Sequence, residues 1–182
     1  LTEVCRRPLP ALGQALCDVP VRLAEMEFWL PSDGLDVAHL DDLCCRHLMP
    51  GLQRPRLVER QLRGLLMGFA DLVFEHQGRY WVLDYKSNSI GLTDADYTEA
   101  AMQRAMLEHR YDVQAVLYLL PLHRLLRARL GKAYAPRQHL DGVVFLGLIG
   151  HDSDLDCPLG PHALRNLPHA VAFGTLAHLL AA

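Results

Sequence analysis

The chain has 182 residues, 51% of them hydrophobic and 21% charged, with a formal net charge of −3. That composition suits one globular domain with a sizeable core and excludes a disordered or low-complexity chain. No apolar run reaches the roughly 18 to 20 residues that span a bilayer, and no basic-then-apolar leader opens the chain, so the expected compartment is the cytoplasm, without a membrane.

Residues 1–20 hold Pro8, Pro10 and Pro20 without a clean period and read as an irregular lead-in. Val21 to Leu30 (VRLAEMEFWL) reads as a strand stopped by Pro31, Ser32, Asp33 and Gly34. Val37 to His47 reads as a short helix with Asp36 as N-cap. Pro50, Gly51 and Pro55 break the chain. The run Leu57 to Phe74 contains a strand ending in GFADLVF, and Tyr80 to Tyr85 (YWVLDY) supplies another. His76-Gln77-Gly78-Arg79 between them is a tight turn, so the pair is a β-hairpin. Thr98 to Leu107 is helix-forming with Thr98 as N-cap. Arg110 to Leu130 continues at helical spacing, with Pro121 as a kink or joint and Gly131 as a stop. Gly142 to Ile149 reads as a buried strand, and a final apolar helix is expected from Ala170 to Leu180. Strands, then helices, then a strand indicate an α/β fold with a central mixed β-sheet flanked by helices. The expectation is a single domain over 1–182, with 151–182 as a divergent tail.

The chain begins at Leu1 rather than methionine and reads as a piece of something longer. Cys5, Cys17, Cys44, Cys45 and Cys157 are odd in number and lack CxxC spacing, which argues against a disulfide framework or a zinc ribbon. From Gln103 to His139 there are seven cationic residues, Arg104, Arg110, Arg124, Arg127, Arg129, Lys132 and Arg137, against Glu108 and Asp112. Acidic residues gather before and after this stretch. A basic stripe beside an acidic pocket suits an enzyme that holds a phosphate backbone next to bound cations.

The chemistry concentrates in the hairpin. Asp71 lies amid strand-forming apolar residues, where an aspartate is costly unless something pairs with it. Asp84 lies in the same situation, and Lys86, two residues on, shares its face. With Gln77 and Gly78 as the loop, His76 opposes Arg79, Glu75 opposes Tyr80, and Asp71 falls opposite Asp84. Like charges directly opposite destabilise a sheet. A divalent cation between them removes the repulsion, and oxygen ligands suit Mg²⁺ or Mn²⁺. Such an ion polarises a phosphodiester, and the lysine orients or deprotonates water or neutralises developing charge. The bland alternative is an ordinary surface pair of Asp84 and Lys86 on an edge strand, with Asp71 capping a bend or accepting backbone hydrogen bonds. A second cluster, Arg110, Gln114 and Tyr118, is spaced i, i+4, i+8 on one helix face with Tyr111 beside it. These side chains, with Arg124 and Arg127 beyond them, are candidates for contact with DNA phosphates and bases.

Together, GFADLVFEHQGRYWVLDYKSNSIG and YTEAAMQRAMLEHRYDVQAVLYLLPLHRLLRARLG resemble the nuclease domain of the RecB family, with a DYKS core of the wider PD-(D/E)XK superfamily. The likeness runs from about Leu65 to Gly150 and is weaker at Glu25 to Pro31. It implies a restriction-endonuclease-like core and exodeoxyribonuclease activity of the exodeoxyribonuclease V type. Asp71 and Asp84 would be Mg²⁺ ligands, the Tyr85 carbonyl a further ligand, and Lys86 the catalytic lysine. Gln114 and Tyr118 would support the active site and the strand. The implied setting is a helicase–nuclease with RecC-like and RecD-like subunits, and a RecA-like recombinase, in double-strand-break repair and recombination. No G-x-x-x-x-G-K-[ST] loop occurs, so helicase action does not reside in these residues.

Two departures stand out. The family carries a metal-ligand histidine in a GT-x-x-H context upstream of the first aspartate, and neither His39 nor His47 matches it. Gly174 to His178 does read GT-x-x-H, but at the wrong end of the chain. Asp152, Asp154 and Asp156 alternate like a cation loop yet lack the EF-hand glycine and glutamate, which leaves a solvated acidic turn. The missing ligand keeps open a weakened nuclease-fold module that binds DNA or docks a subunit. A stand-alone exonuclease of the same fold is a third reading.

Overall fold

The computed structural model describes residues 6, 8–9, 12–32, 34–58, 64–88, 90–91 and 93–147. The expected helix at Ala170 to Leu180, the alternating aspartates, the GT-x-x-H run, Cys5 and Cys157 lie outside these residues. The elements are β1 (Pro8–Leu9), β2 (Gln14–Ala15), β3 (Val21–Pro31), α1 (Val37–His47), β4 (Leu65–His76), β5 (Arg79–Lys86), α2 (Glu99–Glu108), α3 (Tyr111–Leu130), α4 (Pro136–His139) and β6 (Leu140–Gly147).

Local chemistry sets most boundaries. Asp36 caps α1 by accepting from the His39 N–H at 2.9 Å, and Thr98 caps α2 by accepting from the Ala101 N–H at 3.2 Å. These bonds satisfy amides that the first helical turn leaves without partners. Gln77 and Gly78 both take positive φ, 53° and 78°, as the two-residue turn of a twisted hairpin requires. Pro121 interrupts nothing: α3 runs through it as one helix to Leu130, and Gly131 ends it at φ 56°.

The main sheet has the order β3-β4-β5-β6. β3, β4 and β5 pair antiparallel, whereas β5 and β6 are parallel. The parallel pair needs a crossover, which α2 and α3 provide. One face of the sheet is covered by helices. Met26, Phe28, Val73, Val82 and Val143 meet Cys44 of α1, Met106 of α2 and Leu119 and Leu122 of α3 there. The other face is closed by the N-terminal segment, where Leu9, Leu12, Leu16 and Val19 pack on Phe74, Trp81, Leu83 and Val144. The described residues among the first twenty are therefore no irregular lead-in: they form a small hairpin and a 3-10 turn that seal the second core. Among the described residues, no helix is long and apolar enough to cross a membrane.

One irregularity positions the site. The β3–β4 ladder pairs Ala24 with Leu72 and Met26 with Ala70 but skips Glu25 and Asp71 between them. Glu25 there has φ 50°. Ala70 and Val73 face the same core although they are three residues apart, so strict alternation fails between them. Such breaks re-aim side chains, commonly next to active sites.

Candidate active site

The β4–β5 ladder runs from His76–Arg79 to Leu72–Leu83, in the register expected from the turn. The next positions in that register are Asp71 and Asp84. The Asp71 side chain takes up the backbone there, with Oδ2 accepting from the Tyr85 N–H at 2.7 Å. Asp84 is buried, 4% exposed, on the face beneath α3.

A closed ring of polar contacts surrounds Asp84. Tyr118 donates its hydroxyl proton to Asp84 Oδ1 at 2.5 Å. Gln114 donates from Nε2 to the Tyr118 oxygen at 2.5 Å, and its Oε1 accepts from Lys86 Nζ at 2.6 Å. Lys86 returns to Asp84, with Nζ 2.6 Å from Oδ2. That Oδ2 is buried and takes no hydrogen bond of good geometry, so the lysine charge is what balances it. Lys86 Nζ also stands 4.0 Å from the centre of the Tyr111 ring, an arrangement that favours a cation. Burial raises the Tyr118 hydroxyl above its ordinary value, and its bond to Asp84 and the charges of Asp84 and Asp71 raise it further. Tyr118 is thereby held as a proton donor. Phe28 meets the Tyr118 ring edge-on at 6.0 Å. Gly68 lies across from Phe28, where any Cβ would overlap the Phe28 ring.

The spacing of Arg110, Gln114 and Tyr118 resolves differently. Gln114 and Tyr118 do share a face, turned into the site. Arg110 is the residue before the helix, in the left-handed region at φ 54°, and its guanidinium is turned to buried carboxylates. Its Nε lies 3.0 Å from Asp112 Oδ1, its Nη2 lies 2.7 Å from Asp41 Oδ1, and its Nη1 donates to the Pro55 carbonyl at 2.8 Å. Arg54 joins the cluster through Asp112 at 2.7 Å, with side chains only 2% and 1% exposed. Burial alone would raise the Asp41 carboxyl, but Arg110, the Leu57 amide and Arg56 hold it below its ordinary value. This network ties α1, the loop after it and the start of α3 together. Arg110 thus anchors the helix that carries Gln114, rather than presenting a free cation to DNA.

Arg124 and Arg127 are exposed. At about 100° per residue they lie roughly 120° and 180° around α3 from Tyr118. They form a basic outer face and do not line the carboxylate site. His39 and His47 are exposed on α1. The buried network and the aromatic wall of Tyr111 and Phe145 were missed from sequence. The signal was present in charged residues set inside apolar helical patterns, as at Asp41 and Asp112, which demand partners.

The side chains and carbonyl expected from sequence to meet a cation, those of Asp71, Asp84 and Tyr85, carry hard oxygen donors of the kind Mg²⁺ or Mn²⁺ takes. Among the described residues, no group of three or more His, Cys, Asp or Glu side chains could hold a metal ion. Two carboxylates and one carbonyl would leave much of a six-oxygen shell to water.

No family model matches the chain. The chain is 44% identical over 157 residues to the "RecBCD enzyme subunit RecB" of Escherichia coli K12, covering 85% of this chain and 13% of that protein. It is 35% identical to the protein of the same name from Haemophilus influenzae, over 85% of this chain and 13% of that protein. It is 39% identical to that of Mycobacterium tuberculosis CDC 1551, over 71% of this chain and 13% of the relative. The chain thus spans about an eighth of the length of these relatives.

Proposed function

The chain belongs to the RecB family, fitting its C-terminal domain, and on that premise we propose that it is a Mg²⁺-dependent deoxyribonuclease domain of a RecBCD-type helicase–nuclease. It hydrolyses DNA phosphodiester bonds in double-strand-break repair and recombination, together with RecC-like and RecD-like subunits and a RecA-like recombinase. The observation that carries this reading is the ring Asp84–Lys86–Gln114–Tyr118, with Asp71 at the adjoining end of the ladder.

Asp71, Asp84 and the Tyr85 carbonyl would hold Mg²⁺, or Mn²⁺ in its place. When bound, the ion supplies Lewis-acid stabilisation of charge on the phosphodiester. The remaining work falls to side chains. Lys86 brings a positive charge to the scissile phosphate, where charge builds up in the transition state. Gln114 holds the ammonium in place by accepting one of its protons. Tyr118 keeps its own proton and presents it to Asp84 Oδ1. Arg124 and Arg127, on the outer face of α3, take a more distant stretch of the backbone. Their replacement weakens binding about equally for all sequences and flattens the salt dependence.

The test is cleavage of single-stranded DNA by the 182-residue chain in Mg²⁺. Lys86→Ala is expected to lower the rate at least about 100-fold, the scale of losing one charge-stabilising donor. Equal rates for both proteins would defeat the assignment. The sparse donor set favours one second reading, a nuclease-fold module that binds DNA or docks a subunit without cutting. Binding of DNA by both proteins, with cleavage by neither at any Mg²⁺ or Mn²⁺ concentration, selects that reading.

A further inference from the structure

Beside the ring lies a groove that the cleavage chemistry does not use. It has a volume of about 300 Å³ and is lined by Asn88, Ile90, Ala101, Arg104, Glu108 and His109. Its connection to the site is direct. Asn88 lies two residues beyond Lys86 and accepts from the Tyr111 hydroxyl at 2.7 Å. His109 lies two residues before Tyr111.

Three rings form a column between core and groove. Phe145, buried in the core, stacks on Tyr111 with centroids 5.3 Å apart and planes 26° apart. Tyr111 stacks in turn on His109 at 5.5 Å and 21°. His109 is exposed and ends the column in the groove. The Lys86 ammonium sits over the middle ring. An aromatic column whose last ring opens into a groove offers a ready surface for one more flat ring.

The groove's charges narrow the ligand class. Arg104 and Glu108 both line it and both are exposed. A cation and an anion side by side make a poor receptor for a bare phosphate. Arg104, Asn88 and Glu108 instead offer donors and acceptors to the polar edge of a heterocycle. Single-stranded nucleic acids are commonly held by bases stacked on aromatic side chains, while their phosphates lie elsewhere.

We infer that His109 is a stacking platform for a nucleobase of single-stranded DNA, seated in the Asn88–Arg104–Glu108 groove next to the phosphodiester at Lys86. The inference rests on the nuclease reading for the strand's identity, but its test is a binding measurement. The strand enters with one base on the outer face of His109, and the neighbouring phosphate then reaches Lys86 and the carboxylates.

The experiment measures fluorescence anisotropy of labelled oligo-dT with the 182-residue chain in EDTA, where no cleavage occurs. A matched strand with abasic spacers in place of thymine keeps the phosphates and removes the rings. One stacked base corresponds to about a fivefold or greater change in affinity. The expected result is that His109→Ala weakens oligo-dT binding by at least that factor and leaves abasic-strand binding unchanged. His109→Phe, which keeps a ring, should bind oligo-dT like the parent chain. Thermal unfolding of each variant controls for folding.

Unchanged oligo-dT affinity in His109→Ala overturns the platform. So does an equal loss on both strands, which assigns His109 to phosphate contact. Failure here is separable from failure of the nuclease reading. Cleavage that depends on Lys86 but lacks the His109 contrast removes the platform alone. A His109 contrast without any cleavage keeps the platform on a binding module. Absence of DNA binding by the parent chain at low salt removes both.

Discussion

Tyr118 and His123 sit five residues apart on α3 and show how little a residue's type says about its task. Tyr118 gives its proton to a buried carboxylate. Tyr118→Phe would leave Asp84 short of a donor in a buried setting, at a cost of about 1–3 kcal/mol. Urea unfolding should report that loss, and the cleavage rate should fall about tenfold or more with little change in KM. Wild-type stability and rate in Tyr118→Phe would exclude the ring as a working unit. His123 is buried, with Nδ1 2.8 Å from the Tyr134 hydroxyl. Burial, then the charges of Arg127 and Arg124, hold it below its ordinary value. The unfolded chain therefore takes up this proton more readily than the folded one. The contribution to stability is full above the unfolded pKa of about 6.5 and is lost as pH falls through the depressed folded value. The melting temperature should drop between pH 7 and pH 5, and His123→Gln should flatten that slope. An unaltered slope would move the effect to other groups.

Helix α3 is the element on which the site turns, and its start is where reading by spacing reached its limit. Caps at Asp36 and Thr98 were legible because an N-cap needs only a short acceptor and the amides two or three residues on. Arg110 was not, because i, i+4, i+8 spacing assumes that all three residues are helical. In the folded chain Arg110 leaves the helix for the left-handed region, held by Asp41 and Asp112. Asp112 is the hub of this arrangement, meeting both Arg54 and Arg110. Asp112→Ala would leave the buried Arg54 guanidinium without its carboxylate and Arg110 with Asp41 alone, a loss of about 3–5 kcal/mol. Chemical denaturation measures it directly. Gln114 is two residues away, so cleavage should fall along with stability. A stable, fully active Asp112→Ala chain would show that the anchor is dispensable.

At the scale of the whole molecule, two cores lie on either side of one sheet, and the N-terminal segment makes the second. Deleting residues 1–19 would uncover Phe74, Trp81 and Leu83. Four buried aliphatic side chains would be lost with it, together worth about 6 kcal/mol or more. That approaches the total stability of a typical domain. The truncated chain should bind a hydrophobic dye and lose its cooperative melt, and a sharp melt near that of the parent would refute the covering role. The run LLMGFADLVF is apolar on both faces, so nothing local told which parts are covered. Phe74 is sealed under the N-terminal hairpin, whereas Met67 and Phe69 are each about half exposed. What the amino acids alone determined were features of short reach: the hairpin with its register as far as Leu72 and Leu83, and the helix caps. Those follow from steric rules of turns and alternation that act over a few residues. The tertiary structure alone decided which charges were taken up by partners far along the chain. Arg110 anchors rather than binds, Gln114 and Tyr118 close a ring on Asp84, and His109 ends an aromatic column. Each outcome depends on desolvation and contact between segments tens of residues apart, and a buried charge keeps only the geometry that its distant partner allows.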